Sequence, residues 1–311
     1  MPGSNLLMWT KTVLPLAIYS AVALSCRAND PGATTSVATA PQPVSASAAS
    51  GSPGPQRPSV TYGEAKPTIR LIEPGATPHR ELTFRPAQVA RHVRLSLGTP
   101  PPGQPDAERK TALVLSWKTD PTTKSRYQFH VTQASMTVSG PAAKATEQTI
   151  HERIRAGFEQ VAGYASVPSS DHITIGQTQG AATTPSVPLT LHLLAVYLPA
   201  QPIGVGARWE LSEPASAPGG KGEATRVYEL LALTAQGATV RITRTSKWTQ
   251  QRGSQQVTGS SRFTGQAEIH FNDLLPQSAT ATLVSSVSLP LGPDDDSPPV
   301  ETTTAVRLEP K

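Results

Sequence analysis

Seven histidines, a run of three aspartates and one cysteine are the residues whose chemistry could go beyond packing. The histidines are His79, His92, His130, His151, His172, His192 and His270. The metalloprotease pattern H-E-x-x-H sets two of them one helical turn apart on zinc. His151-Glu152 is followed by Arg153 and Ile154, so that pattern fails. His151 instead fits the polar face of a helix, with Glu147 and Arg155 as i±4 neighbours. His130, His172, His192 and His270 could form a site only if the fold gathers them. Asp294-Asp295-Asp296 offers carboxylates to a hard cation. Gly-Pro and Ser-Pro-Pro flank it, and the twelve-residue calcium loop with its terminal glutamate is missing. It reads as a solvated acidic hairpin loop. A nucleophilic serine would be marked by G-x-S-x-G, which is absent. Gly204 and Gly206 lack the third glycine of a dinucleotide fingerprint. A single cysteine excludes an internal disulfide scaffold and a multi-cysteine zinc or iron–sulfur site. No catalytic residue, metal ligand or cofactor is assigned, and the expectation is that the chain is not an enzyme.

The chain has 311 residues and a formal charge of +5, with the basic residues dispersed. No basic helix or aromatic-interleaved cluster appears, so nucleic acid is not an expected partner.

Address is more legible than chemistry. Residues 1–25 read as a signal peptide: Lys11 precedes an apolar run, Thr12 to Ser25, that is shorter than the roughly 20 residues of a spanning helix. The run ends in Ala23-Leu24-Ser25-Cys26, which resembles the lipobox of bacterial lipoproteins. Leu is usual at the position of Ala23 and a small residue at that of Leu24, so the match departs there. The resemblance implies that Cys26 becomes the lipidated first residue of the mature chain. A thiol is needed for the thioether to diacylglycerol, and small Ser25 suits a peptidase pocket. Each buried methylene of the acyl chains would add about 0.8 kcal/mol of membrane affinity. Arg27, where an aspartate would signal retention, favours the outer membrane by resemblance to Gram-negative sorting. The expected location is the bacterial cell envelope, as an outer-membrane lipoprotein facing the periplasm or the surface. Residues 26–68 follow as a lipidated N-terminus and an Ala/Ser/Pro-rich tether, too poor in large apolar side chains to fold.

The body reads as strands. Val93, Leu95 and Leu97 alternate with polar residues, as do Tyr127, Phe129 and Val131. Met136 and Val138 take the opposite parity, which predicts a bulge or register change near Ala134. Ile150, Ile154, Phe158 and Val161 recur at helical spacing, so 147–163 reads as an amphipathic helix stopped by Gly163. Strand 172–176 follows. Pro188–Leu198 is apolar and open to both helix and strand. Trp209 is a buried anchor in a strand beginning near Gly206, with direct contact to a ligand as the alternative. Residues 226–233 and 238–247 form a hairpin through Ala235-Gln236-Gly237, where Gly could take positive φ. Strands are also expected at 264–271, 281–291 and 303–308. The fold class is α+β, predominantly antiparallel β, with curved sheet packed on a central amphipathic helix. Two similar halves and one continuous sheet both stay open. The units are a β-rich one with a helix, 69–198, and an antiparallel one, 199–311.

Leu198–Leu211, LPAQPIGVGARWEL, resembles a P-x-x-P-V-x-V-G-x-x-W signature of bacterial lipoproteins and secreted proteins with no assigned activity. Pro199, Pro202, Ile203, Val205, Gly206 and Trp209 match it, over a resemblance spanning about residues 80–308. It implies architecture and address, not chemistry. On the residues alone, Pro199 and Pro202 stiffen a lead-in, Gly204 and Gly206 allow a turn or close approach, and Trp209 anchors. The leading reading is an envelope interaction or scaffold module, partnered by the membrane through N-terminal acyl chains and by another envelope protein. The alternatives are a carrier or chaperone for a lipid or other apolar small molecule, and an enzyme with an unrecognised site.

Overall fold

The computed structural model describes residues 61–100, 108–123, 125–139, 152, 155–179, 186–215, 220–252, 255–288 and 298–311. Residues 26–60, His151 and the aspartate run lie outside the described residues, whereas 61–68, the end of the expected tether, enter the fold: Thr61–Tyr62 pair with Ile175–Gly176 and Tyr62 is buried.

A large antiparallel sheet dominates. Its strands are β1 (Thr61–Tyr62), β2 (Thr68–Glu73), β3 (Ala90–Thr99), β4 (Glu108–Thr119), β5 (Arg126–Ser139), β6 (Ala162–Ser169) and β7 (His172–Gln179), then β8 (Arg208–Pro214), β9 (Gly220–Leu233), β10 (Gly237–Arg252), β11 (Gln255–His270), β12 (Ser278–Ser288) and β13 (Val300–Pro310). The spatial order is β1-β7-β6-β5-β4-β3-β13-β12-β11-β10-β9-β8-β2. Two meanders, β3–β7 and β8–β13, therefore meet at a seam between β3 and β13, where Leu95 faces Leu308 and Leu97 faces Val306.

This order forces curvature. β1 and β2 sit at opposite edges, yet residues 63–67 alone join them. That link spans about 20 Å at most. Thirteen flat strands would be about 58 Å wide. The sheet must curl until its edges approach each other, which encloses one face. That inner face carries the core: Val93, Leu95, Leu113, Leu115, Tyr127, Phe129, Trp209, Tyr228, Val240, Ile242 and Phe263 are all buried on it.

The parity change in β5 has the expected cause. Val114 pairs with Gln133 and Leu115 with Val131, so Thr132 is an extra residue. The bulge puts Met136 and Val138 back on the face of Tyr127 and Phe129.

Helix is minor and differs from the expectation. Among the described residues it is confined to α1 (Ser186–Leu194), residue 152 and residues 155–159. Phe158 and Val161 are buried as the stripe predicted. Gly163 does not end a helix; it lies inside β6 opposite Phe129, where a Cβ would strike the Phe129 ring and the Gly176 carbonyl oxygen. The stretch that suited helix and strand equally splits. Residues 186–194 are helical, with Pro188 in the first turn where no N–H is needed. Residues 195–198 continue without regular structure, fully buried. α1 packs against β7 and β1, and Val187, Leu191, Leu193 and Leu194 are all buried. A helix covered all round shows little amphipathic period, so the sequence left it ambiguous.

The β9–β10 turn also differs in detail. Gly237 is not among the positive-φ glycines. It is needed because a Cβ there would meet the Ile269 carbonyl oxygen, and the Thr234 hydroxyl accepts its N–H at 3.0 Å.

Candidate functional site

The signature residues come first. Gly206 has φ 83°, and a Cβ on Gly204 would collide with the Ala76 carbonyl oxygen. One glycine thus serves a turn and the other a close approach between the 199–207 and 74–80 segments. Ala76 donates to the Val205 carbonyl at 2.8 Å, and Arg80 and Ile203 exchange backbone hydrogen bonds. Pro199 is buried, Pro202 exposed. Trp209 is fully buried, stacked on Tyr228 with ring centroids 5.3 Å apart, and its Nε1–H donates to the Tyr197 carbonyl at 2.7 Å. It is an anchor of the core.

The four histidines do not meet. His130 and His270 are exposed, His172 is half-buried beside the Gly63 carbonyl, and His192 is buried in α1. His192 instead joins a group of ionisable residues that the sequence reading missed. Its Nε2 lies 3.2 Å from Glu213 Oε2. Arg226 Nη2 donates to Glu213 Oε1 at 3.0 Å, and Arg244 Nε donates to the same oxygen at 3.0 Å. Arg226 Nη1 donates to the carbonyls of His192 and Ala195 at 2.9 and 3.1 Å, and the Tyr228 hydroxyl also donates to Ala195. The network therefore straps the end of α1 to the inner face of β8, β9 and β10. A signal was present: Glu213, Arg226 and Arg244 each stand at an inward parity on consecutive strands, between apolar residues such as Leu211, Ala224, Tyr228 and Ile242.

Charge explains the protonation states. Burial alone would raise the Glu213 carboxyl; the positive charge of Arg226, the His192 hydrogen bond and Arg244 outweigh it and hold it far below the usual range. Burial lowers His192, and Arg226 and Arg244 add to that against the pull of Glu213. Burial keeps the Tyr197 and Tyr228 phenols protonated, the latter pushed up to about 12. With His192 neutral, two guanidiniums face one carboxylate.

This gives a pH prediction. The unfolded chain protonates His192 from about pH 6.5 downward while the folded chain resists. Stability from this group is present above that pH and lost as pH falls toward the lower folded value. Between pH 7.5 and 5.5 the loss should reach about 1 kcal/mol, read as a lower urea midpoint. His192→Gln, which can still donate to Glu213, should flatten the profile; an unchanged slope would refute the assignment.

Beyond this cluster the inner face changes character. Arg244 is followed on the same face of β10 by Ser246 and Trp248; Ser246 and Ser261 hydrogen-bond at 2.7 Å. Trp248 is half-buried and lies across Gly259, whose Cβ would strike the indole, and next to Gly222. Met136, Val138, Leu283 and Val287 are half-buried at the same end, and Val300 is 37% exposed. The apolar face is thus sealed around α1 and half-covered at the far ends of β5 and β10–β13. A groove of about 580 Å³ at the same end of β9–β12 is lined by Lys221, Glu223, Lys247, Thr258, Ser260 and Ser286 of the opposite face together with Gly222, Trp248 and Gly259.

A second buried pair lies at the seam. Asp273, in the β11–β12 loop, accepts the Trp117 indole N–H at 3.0 Å and sits 2.8 Å from Arg91 Nε. Arg91 also donates to the carbonyls of Leu275 and Pro276 at 2.7 and 3.0 Å. This pair ties the loop of one meander to β3 and β4 of the other.

No family model matches the chain, and no curated protein does. A solved structure of lipid–protein interactions in lipovitellin is similar over 73% of this chain and 25% of its own, at 10% identity and a TM-score of 0.39. This chain spans about a quarter of that protein, and a likeness at this level carries no argument about function.

Proposed function

We propose that the chain is a non-catalytic envelope module that accommodates a lipid or other apolar molecule along the half-covered end of its inner sheet face. The observation that supports it is the burial gradient along the inner face, closed around α1 and, past the polar band of Arg244, Ser246 and Ser261, half-covered at Trp248, Met136, Val138 and Val287. Apolar side chains left half-wet on the face that otherwise forms the core lose burial free energy of about 25 cal/mol per Å². A ligand that covers them recovers it. The flat indole of Trp248, lying across Gly259, offers a rigid wall for such a chain. The reading includes a tether: Cys26, acylated, would hold the body at the outer membrane. A scaffold role has one observation in its favour, the groove that Lys221, Glu223, Lys247, Thr258 and Ser260 help to line.

The test uses the Cys26→Ala chain expressed in a bacterial periplasm. It should appear in the soluble fraction; persistence in membranes would remove the lipid tether. Native mass spectrometry of that protein should show an added mass that denaturing extraction releases as a lipid or small apolar molecule. A bare mass, even after incubation with envelope lipids, would leave the scaffold reading.

A further inference from the structure

The buried cluster is one anion short. Glu213 carries one negative charge, Arg226 and Arg244 carry two positive ones, and His192 is neutral. Burying an uncompensated charge costs several kcal/mol, so a purely structural strap would be expected to balance. The two arginines are not equivalent. Arg226 spends both Nη groups on Glu213, two backbone carbonyls and Tyr228. Arg244 binds Glu213 through Nε, and among the described residues no hydrogen-bond partner is found for its Nη groups. It is also the member placed nearest the half-covered region: on its strand, Ser246 and then Trp248 follow on the same face, about 14 Å away at the usual strand rise. Ser261, bonded to Ser246, adds a hydroxyl beside the path.

We propose that Arg244 receives the anionic head, a carboxylate or a phosphate, of an amphiphile whose chain lies toward Trp248, Val287 and Val300. This rests on the carrier reading above and names its ligand class: single-headed anionic amphiphiles, inserted head first. A planar guanidinium whose two Nη groups are not spent on Glu213 suits both head groups bidentately. The chain then covers the half-wet apolar end, and the head supplies the charge the cluster lacks.

The experiment is calorimetric titration of the delipidated full chain with dodecanoate, dodecyl phosphate, dodecanol and dodecyltrimethylammonium, each below its micelle concentration. At least one anion should bind about tenfold or more tightly than dodecanol, the size expected of a hydrogen bond to a charged group. Preference for dodecanoate points to fatty acids, and preference for dodecyl phosphate to phospholipid heads. The cation should bind more weakly than dodecanol. In Arg244→Gln the anion advantage should vanish while dodecanol binding stays. Equal affinity for anion and alcohol in the unsubstituted chain, a cation that binds as well as the alcohol, or an advantage intact in Arg244→Gln would overturn the proposal and leave the carrier reading standing. No binding by any of the four would overturn both. Equal binding of anion and alcohol by the unsubstituted chain overturns the proposal even if Arg244→Gln does not fold, and Arg244→Lys, which keeps the charge, then serves as the second variant: it should retain part of the anion advantage.

Discussion

Glu213→Ala should destabilise the protein by about 3–5 kcal/mol, the usual cost of removing one partner from a buried ion pair. The expected result is a large drop in urea midpoint, with the folded baseline lost below physiological temperature if the starting stability is ordinary. Glu213 accepts from Arg226, Arg244 and His192, and all three are buried. Its loss leaves two guanidiniums facing each other with no anion between them. Arg244→Met should cost clearly less. It removes the surplus charge and leaves Glu213 paired to Arg226, a balanced set, and methionine fills much of the same space. If the two substitutions cost the same, charge balance is not what the cluster is sensitive to. A loss under about 1 kcal/mol for Glu213→Ala would place water in the cluster.

Trp209→Ala should cost about 3–5 kcal/mol for the cavity it opens. Trp209→Phe separates packing from hydrogen bonding. The ring would keep its stack on Tyr228, but the Tyr197 carbonyl would lose its donor, an orphaned buried acceptor worth about 1–3 kcal/mol. Equal losses in the two variants would mean that the hydrogen bond, not ring volume, dominates. A denaturation midpoint unmoved in Trp209→Ala would contradict its burial outright.

Much of the sheet was legible because period-two alternation survives without tertiary context. Val93, Leu95 and Leu97, the hairpin around Gln236 and the parity break now explained by Thr132 are local patterns. So was Trp209, an aromatic residue in a strand with polar neighbours. The pairing of β2 with β8 was not, because Thr68–Glu73 is short, mostly exposed, and finds its partner about 140 residues later. Nothing within a six-residue segment encodes so distant a choice. α1 escaped because apolar residues on every side erase the helical period. The 147–163 helix was overextended: the strand period starting at Ala162 overrides the helical one, and Gly163 is dictated by the Phe129 ring. The charged cluster was missed for another reason. Arginine and glutamate on strands are ordinarily exposed residues. Their inward parity becomes informative only when three adjacent strands share it.

The seam between β3 and β13 has a consequence for how the protein is made. β13 leaves the ribosome after the other twelve strands, yet its place is in the middle of the sheet. Until it arrives, β3 and β12 each present an unpaired edge, and Leu95 and Leu97 lack the Val306 and Leu308 they will face. Such edges are templates for pairing with other chains. Each meander can zip locally through its own hairpins, but the closed, curled form waits for a contact more than two hundred residues apart in sequence. The vulnerable interval in the life of this protein is therefore the one between emergence of β12 and docking of β13, and escort factors that shield strand edges should act on it there.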